Sequence, residues 1–134
     1  MEQGYLIDSN TAIDYLDNKL PIKSAELIDN VFIQISVITR MELLGWPKAT
    51  LSQINILQQF ISSALVYSLD EPIILKAIEL RRNYRIKLPD AIIASTALTH
   101  RLTLVTRNSA DFKNIDQLSV LDPWNLNGTV IVEK

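Results

Sequence analysis

The fold is decided first by Tyr5-Leu6-Ile7-Asp8-Ser9-Asn10, where an apolar stretch gives way abruptly to polar residues. Tyr5-Leu6-Ile7 predicts a short buried strand. The residues that follow, Thr11-Ala12-Ile13-Asp14, predict a helix that opens with a capping-box-like spacing. An acidic side chain therefore comes directly after a buried strand, at the place where the chain turns into a helix.

Outward from this stretch, apolar runs with strand character alternate with longer helical patterns. The predicted strands are Tyr5–Ile7, Val31–Ile35, Ala64–Tyr67, Leu102–Thr106 and Ser119–Leu121. Helices are predicted between them at Ile22–Asn30, from Ser36 as cap to Leu44, at Thr50–Ser62, at Glu71–Tyr84 and, behind Pro89, at Asp90–Arg101. This alternation predicts an α/β fold in three layers, α/β/α, around a central parallel sheet of four to five strands. The 134 residues suit a single domain, 1–134.

The composition restricts the chemistry that the chain can perform. There is no cysteine, which excludes disulfides and thiolate metal sites, and the single His100 cannot build an imidazole-rich zinc site. Any metal ion must therefore bind oxygen ligands, which favours magnesium, manganese or calcium. The net charge of −2 is not that of a protein that binds nucleic acid by bulk electrostatics, so basic contacts would have to be local.

No targeting or membrane segment is predicted. No apolar run approaches the length of a membrane span, and the start of the chain has no basic region ahead of an apolar stretch. We therefore expect a cytoplasmic protein without a membrane partner.

Four acidic residues are expected at the carboxyl edge of the sheet, where open parallel sheets place their functional groups. Asp8 follows the first strand, Asp90 lies in the first turn of its helix, and Asp111 follows the strand Leu102–Thr106. Glu42 lies on the helix behind Val31–Ile35, on its flank if Val37, Met41 and Leu44 mark the packed face. Each acid alone has a structural explanation, as a cap or a solvated helix residue. Together they would repel one another unless a cation offsets them, and carboxylate-held divalent ions hydrolyse phosphodiesters.

Four segments of the chain carry a family resemblance. They are Tyr5–Asn10, Ser36–Gly45, Leu88–Ala97 and the Thr106-Arg107-Asn108-Ser109-Ala110-Asp111-Phe112 segment that follows Leu104-Val105. In this order and spacing the chain resembles PIN-domain ribonucleases and, among them, the VapC toxins of type II toxin–antitoxin pairs. The resemblance implies a PIN-like fold and a metal-dependent endoribonuclease.

The resemblance also implies roles for individual residues. Asp8, Glu42 and Asp90 match the acids that hold the metal, Mg²⁺ or Mn²⁺. For the fourth position Asp111 is favoured over Asn108. Polar neighbours expected to support the site are Asn10, Thr106 and Asn108. Family members are similar in forming homodimers, in cutting RNA and in being silenced by an antitoxin, which implies a VapB-like partner and a larger toxin–antitoxin assembly.

The basic and aromatic residues could each have a functional or a structural role. The cluster Arg81, Arg82, Arg85 and Lys87 would either contact RNA phosphates or merely end a helix. The RNA contacts that we predict are Arg40, Arg82, Arg85 and Arg107. His100, Trp46 and Trp124 are expected to pack structurally, and the tail Gly128–Lys134 could add an edge strand or contact a partner.

A catalytically inactive PIN-like binding module stays open from the sequence, although the four acids argue against it. Two further alternatives remain. One is a PIN-family RNA-processing nuclease that has no antitoxin. The other is a phosphate-accepting receiver-like signalling domain, which also combines a parallel α/β fold with an acidic magnesium pocket. That fold requires adjacent acids after the first strand, where Asp8 stands alone.

Overall fold

The computed structural model describes residues 3–126 of the chain. Its core is one parallel sheet of five strands in the order β3-β2-β1-β4-β5. The strands are β1 Tyr5–Ile7, β2 Gln34–Ser36, β3 Leu65–Tyr67, β4 Thr103–Val105 and β5 Val120–Leu121. The predicted parallel α/β architecture is confirmed, with β1 at the centre between β2 and β4.

Six helices connect the strands. They are α1 Ser9–Leu16, α2 Ile22–Asp29, α3 Val37–Leu44, α4 Leu51–Ser62, α5 Glu71–Asn83 and α6 Leu88–His100. A short 3-10 helix, Ser109–Asp111, lies between β4 and β5. Ser36 caps α3 through its hydroxyl group, as predicted, and Thr50, which was predicted as the first residue of its helix, caps α4 instead.

Three predicted boundaries were wrong by a few residues. The first helix begins at Ser9 instead of Thr11, because Asp8 accepts the Ser9 amide and serves as its N-cap. The second strand is Gln34–Ser36 instead of Val31–Ile35, since the Val31 amide still bonds back to Ile28 at the end of α2. Helix α6 begins at Leu88, one residue before Pro89, which was predicted to stand at its start; proline fits this first turn because no amide donor is needed there.

The sheet is buried on both faces. Along β1, Leu6 and Ile7 point to opposite sides and both are fully buried, and Leu104 and Val105 of β4 repeat this arrangement. One cluster joins Leu6 and Leu104 to α6, and the other joins Ile7 and Val105 to α1, α3 and α4. A helix layer therefore covers each face, which confirms the predicted three layers.

Helix α6 runs through the interior. Every residue from Ala91 to Ala97 is buried, and the small side chains of Ala91, Ala94 and Ala97 allow close packing. The hydroxyls of Ser95 and Thr96 bond back to carbonyl oxygens one turn earlier, so burial leaves them satisfied. This packing fixes the direction of the helix and hence the position of Asp90 at its first turn.

Within residues 3–126 no helix combines the length and the apolar character needed to cross a membrane. The predicted edge strand or partner contact of Gly128–Lys134 lies outside the described residues.

Candidate active site

Asp8 stands at the carboxyl end of the central strand and is 5% exposed. Its Oδ1 accepts the Ser9 amide at 2.8 Å, and its Oδ2 accepts the Thr106 hydroxyl at 2.7 Å. Burial raises the pKa of this carboxyl and the nearby Glu42 adds to the rise, while the hydrogen bonds from Thr106 and Ser9 and the Arg107 cation oppose it. The carboxylate is therefore oriented by fixed donors in a place where its charge is costly.

Polar side chains from β4 and α1 hold Asp8 in place. Thr106 is fully buried, and its oxygen accepts the backbone amide of Asn108 at 3.1 Å while its hydroxyl points to Asp8. The Asn10 amide group reaches Asp8 at 3.5 Å and Thr106 at 3.4 Å. Asn10 and Thr106 thus lie where the sequence predicted supporting groups, whereas Asn108 takes part through its backbone.

Glu42 projects from α3 beside the start of α1. Its Oε1 accepts the Ser9 hydroxyl at 2.6 Å, which places Glu42 next to the residue that follows Asp8. The expectation that Met41 marks the packed face of this helix was wrong, because Met41 is 64% exposed and the buried side chains are Thr39 and Leu43. The flank position of Glu42 nevertheless holds.

Asp90 and Asp111 line one cleft of about 450 Å³. Burial raises the pKa of Asp90, and the negative charges of Asp8, Asp111 and Glu42 raise it further, while Lys87 opposes the rise. Each of the other three acids is therefore close enough to Asp90 to act on it. The structure brings Asp8, Glu42, Asp90 and Asp111 to the same rim of the sheet.

This acidic rim suits a divalent cation. Its donors are carboxylate, hydroxyl and amide oxygens, which are the ligands of Mg²⁺ and Mn²⁺. Asp8 is buried, and its burial raises the pKa of the carboxyl, so a cation beside it would stabilise the charged form. Over residues 3–126 no three acids are grouped tightly enough to chelate an ion by themselves. Mg²⁺ is commonly held by one or two carboxylates and keeps several waters, so the donor set fits that ion.

The predicted RNA-contacting residues divide into two groups. Arg85 lines the 450 Å³ cleft beside Asp90 and Asp111, and so does Lys87. Arg107 adjoins Asp8 closely enough to affect its pKa. Arg82 instead lines a separate, mainly apolar groove with Ile78. Arg40 is exposed on α3 beside Met41, on the helix that carries Glu42.

Two polar residues near the acidic rim, Ser9 and Asp14, were not singled out from the sequence. Ser9 positions Glu42, and Asp14 on α1 is buried and pairs with Arg107, with Nη1 of Arg107 at 3.2 Å from Oδ2 of Asp14. The four-residue spacing of Asn10 and Asp14 puts them on the same face of a helix, which was the available signal.

His100 and Trp46 pack structurally, as predicted, whereas Trp124 is 45% exposed. His100 stacks on the Tyr67 ring with the ring centroids 4.0 Å apart. Trp46 packs against the core cluster that contains Leu43 and Leu57. Trp124 donates its indole N–H to Asp14 at 3.0 Å.

A family model described as the PIN domain matches residues 5–118 of the chain. The match spans the sheet, α6 and all four rim acids, so this chain belongs to the PIN-domain family. PIN domains are nucleases, and the chain is therefore assigned to a nuclease family. The assignment removes the receiver-like alternative.

Solved structures of bacterial toxin–antitoxin complexes contain chains similar to this one. A chain of a toxin–antitoxin complex from Klebsiella pneumoniae is 33% identical with a TM-score of 0.72, and the match covers 90% of this chain and 98% of that one. A chain of DNA-bound VapBC from Salmonella typhimurium is 26% identical, with a TM-score of 0.75 and coverage of 90% and 98%. VapBC-1 from nontypeable Haemophilus influenzae gives 26% identity, a TM-score of 0.73 and coverage of 88% and 96%. No curated protein matches the chain significantly.

Proposed function

We propose that the protein is a metal-dependent endoribonuclease and the toxin of a type II toxin–antitoxin pair. The observation that carries the proposal is the meeting of Asp8, Glu42, Asp90 and Asp111 at one rim, where burial and the charges of the other three acids raise the pKa of Asp90. A divalent cation at this rim would offset that charge and supply what phosphodiester hydrolysis requires.

The chain's own residues orient the reacting groups. Asp8 and Asp90 would hold the ion, with Glu42 and Asp111 completing the acidic wall. Thr106 and Asn10 fix the Asp8 carboxylate, and Ser9 fixes Glu42. A bound Mg²⁺ or Mn²⁺ supplies charge neutralisation on the phosphoryl group and a more acidic water. Because short hydrogen bonds hold Asp8 and Glu42 on rigid elements, these two acids need little rearrangement to bind the ion.

The cleft beside the acids suits a strand of nucleic acid. Arg85 and Lys87 line it together with Asp90 and Asp111, so cationic side chains stand where a phosphate next to the scissile one would lie. A volume of about 450 Å³ accommodates one nucleotide unit of a flexible strand more readily than a stiff duplex. We therefore favour single-stranded RNA segments as the substrate, with Arg107 and Arg40 as further phosphate contacts.

The partner that we propose is a VapB-like antitoxin. The similar chains come from toxin–antitoxin complexes, and two of the VapBC complexes are bound to DNA. An acidic rim that binds a divalent cation also binds a basic side chain, so the antitoxin would inhibit by placing a cationic residue there. We expect the purified complex to lack nuclease activity and the chain to regain activity when the partner is released.

A homodimer in the cytoplasm completes the proposal. Large apolar side chains are exposed on and beside α5, among them Leu69, Leu75 and Ile78, at 46%, 58% and 46%. A second copy of the chain could cover such a surface, within a larger toxin–antitoxin assembly. Sedimentation of the purified chain at several concentrations measures the dimer directly.

The decisive experiment is cleavage of defined RNA and DNA by the purified chain. We expect single-stranded RNA to be cut internally in Mg²⁺ or Mn²⁺, no cutting after chelation with EDTA, and full recovery when the metal is restored. An Asp90→Asn protein prepared in the same way controls for contaminating nucleases. Equal cleavage by the two proteins, or cleavage in EDTA, would overturn the proposal.

A second form of the proposal is a PIN-family nuclease that processes RNA without an antitoxin. A short reading frame for a DNA-binding protein next to the gene, whose product co-purifies with this chain and inhibits it, supports the toxin. A nuclease that is active in cell extract without any inhibitor supports the processing enzyme.

A further inference from the structure

Asp14 forms a buried network that the acidic rim does not include. Its side chain is 8% exposed, and it accepts hydrogen bonds from the Arg107 guanidinium at 3.2 Å and the Trp124 indole at 3.0 Å. Asp14 is not a member of the acidic rim, because it lies almost two turns into α1, where it faces Arg107. A buried carboxylate with two donors from distant parts of the chain is costly unless all of its partners stay in place.

Arg107 is attached to α1 at two points. Its backbone amide donates to Oδ1 of Asn10 at 3.1 Å, and its guanidinium donates to Asp14 one helical turn further along. Asn10 in turn contacts Asp8 and Thr106. The same face of α1 therefore orients both the Asp8 carboxylate and the Arg107 cation, so the two groups keep a fixed relation.

The guanidinium keeps free donors. Both of its contacts with Asp14 use Nη1, and within residues 3–126 it forms no other side-chain hydrogen bond. Its side chain is 53% exposed, whereas that of Asp14 is buried. Because a guanidinium has five N–H donors, Nη2 and Nε can still bind a phosphate. The backbone amide of Arg107 bonds to Asn10 beside Asp8, and its cation opposes the rise that burial causes in the pKa of Asp8, so Arg107 stands close to the rim.

We infer that Asp14 is a positioning residue, which rests on the proposed function: it anchors Arg107 so that the exposed N–H groups meet an RNA phosphate beside Asp8. Without this anchor the flexible arginine would have to be ordered each time that RNA binds. Asp14 itself touches neither the RNA nor the ion. Trp124 shields the carboxylate and shares Oδ2 with Arg107.

The test is a double-mutant cycle on cleavage of a short fluorescent RNA. Asp14→Asn removes the charge that attracts Arg107 and keeps an oxygen that can accept the Trp124 N–H. We expect Asp14→Asn and Arg107→Gln each to lower kcat/KM about tenfold, and the double variant to be no worse than Arg107→Gln alone. Asp17→Asn, which removes an exposed acid just after the same helix, should leave kcat/KM unchanged.

A second readout does not depend on cleavage. Binding of the same RNA in EDTA is measured by fluorescence anisotropy at several salt concentrations. In Asp14→Asn the slope of log affinity against log salt concentration should fall by the amount expected for about one phosphate contact. A purely structural Asp14 would lower Tm without changing this slope. Trp124→Phe removes only the indole donor and should keep the slope of the original protein.

The outcomes separate this inference from the proposed function. If the original protein cuts RNA and Asp14→Asn has the same kcat/KM and the same salt slope, the inference about Asp14 is overturned and the proposed function is not. Additive effects of Asp14→Asn and Arg107→Gln on kcat/KM also overturn the inference. So does a loss of kcat/KM in Trp124→Phe that Arg107→Gln does not show. Original protein that does not cut RNA overturns both proposals. If Asp14→Asn does not fold, Asp14→Ser, which also removes the charge that attracts Arg107, takes its place in the same cycle with the same expected results.

Discussion

The hydroxyl of Thr106 donates a 2.7 Å hydrogen bond to Oδ2 of Asp8, joining the carboxyl ends of β4 and β1. Both residues are buried, and Thr106 is fully so. The donor orients a carboxylate that we propose as a metal ligand, in the manner of the outer-shell groups of known metal sites.

Replacing this hydroxyl should weaken metal binding more than it weakens the fold. We expect Thr106→Val to lower the apparent Mg²⁺ affinity, measured from the metal dependence of cleavage, by about 10- to 100-fold. Thr103→Val is the matched control, because Thr103 lies buried on the same strand and its hydroxyl has no partner within residues 3–126. Equal metal affinities of the two variants would contradict the role of Thr106.

Removing either central acid should abolish cleavage without unfolding the protein. We expect Asp8→Asn and Asp90→Asn each to lower kcat by about 100-fold or more, because each removes a ligand charge needed in the transition state. Asparagine at position 8 still caps α1, so the circular dichroism spectrum should not change. Glu26→Gln, at an exposed acid on α2, serves as the control. Strong residual cleavage that depends on metal in either variant would show that the site lies elsewhere.

Metal-free protein should lose stability at this site as the pH rises. The pKa values of Asp8 and Asp90 are raised in the folded protein, so above the ordinary aspartate pKa these two carboxyls bind more protons in the folded chain than in the unfolded chain. The free energy of unfolding therefore falls with rising pH through this window. In EDTA, the Tm of an Asp8→Asn/Asp90→Asn double variant minus that of the original protein should increase from pH 4 towards neutral pH. A difference that does not change with pH would contradict the assigned charge cluster.

Bound metal should offset the loss of stability that the charged acids cause in the metal-free protein. Saturating Mg²⁺ or Mn²⁺, at about 100 times its Kd, would stabilise the original protein by about 2.7 kcal/mol. That is a Tm increase of several degrees for a domain of this size, measurable by scanning fluorimetry. The Asp8→Asn/Asp90→Asn double variant should show no such increase. An equal increase in both proteins would mean that the ion binds away from these acids.

The fourth acid should be Asp111 and not Asn108. Asp111 lines the cleft with Asp90 and raises its pKa, whereas Asn108 supports the site through its backbone amide. We expect Asp111→Asn to reduce cleavage at least tenfold more than Asn108→Ala does, since the latter leaves that amide in place. The reverse order would assign the fourth position to Asn108.

The effect of a basic residue on RNA binding should depend on which cleft the residue lines. Arg85→Ala and Lys87→Ala should each weaken binding of single-stranded RNA and reduce the salt slope by about 0.7. Arg82→Ala, which changes a residue of the separate apolar groove, should leave both unchanged. Filter binding in EDTA across a range of salt concentrations makes the comparison. Loss of affinity in Arg82→Ala alone would place the RNA on α5.

Some features follow from the sequence because their causes are local. The apolar run before Asp8 and the cap residues Ser36 and Thr50 give strand and helix signals within a few residues. The alternation of those signals is enough to predict a parallel sheet in three layers. Boundaries were less accurate where a side-chain cap or the last turn of a helix decides, as at Asp8 and at Val31.

The site depends on contacts that no local pattern contains. The sequence shows that acidic residues follow the predicted strands. Because the strands are parallel, these residues are expected at the same edge of the sheet. The pairing of Thr106 with Asp8, the separation of Arg82 from Arg85, and the burial of Asp14 against Arg107 and Trp124 depend on how helices pack on the sheet. Periodicity fixes which face of an element is apolar, but the neighbours of a polar side chain are chosen by packing across the whole domain.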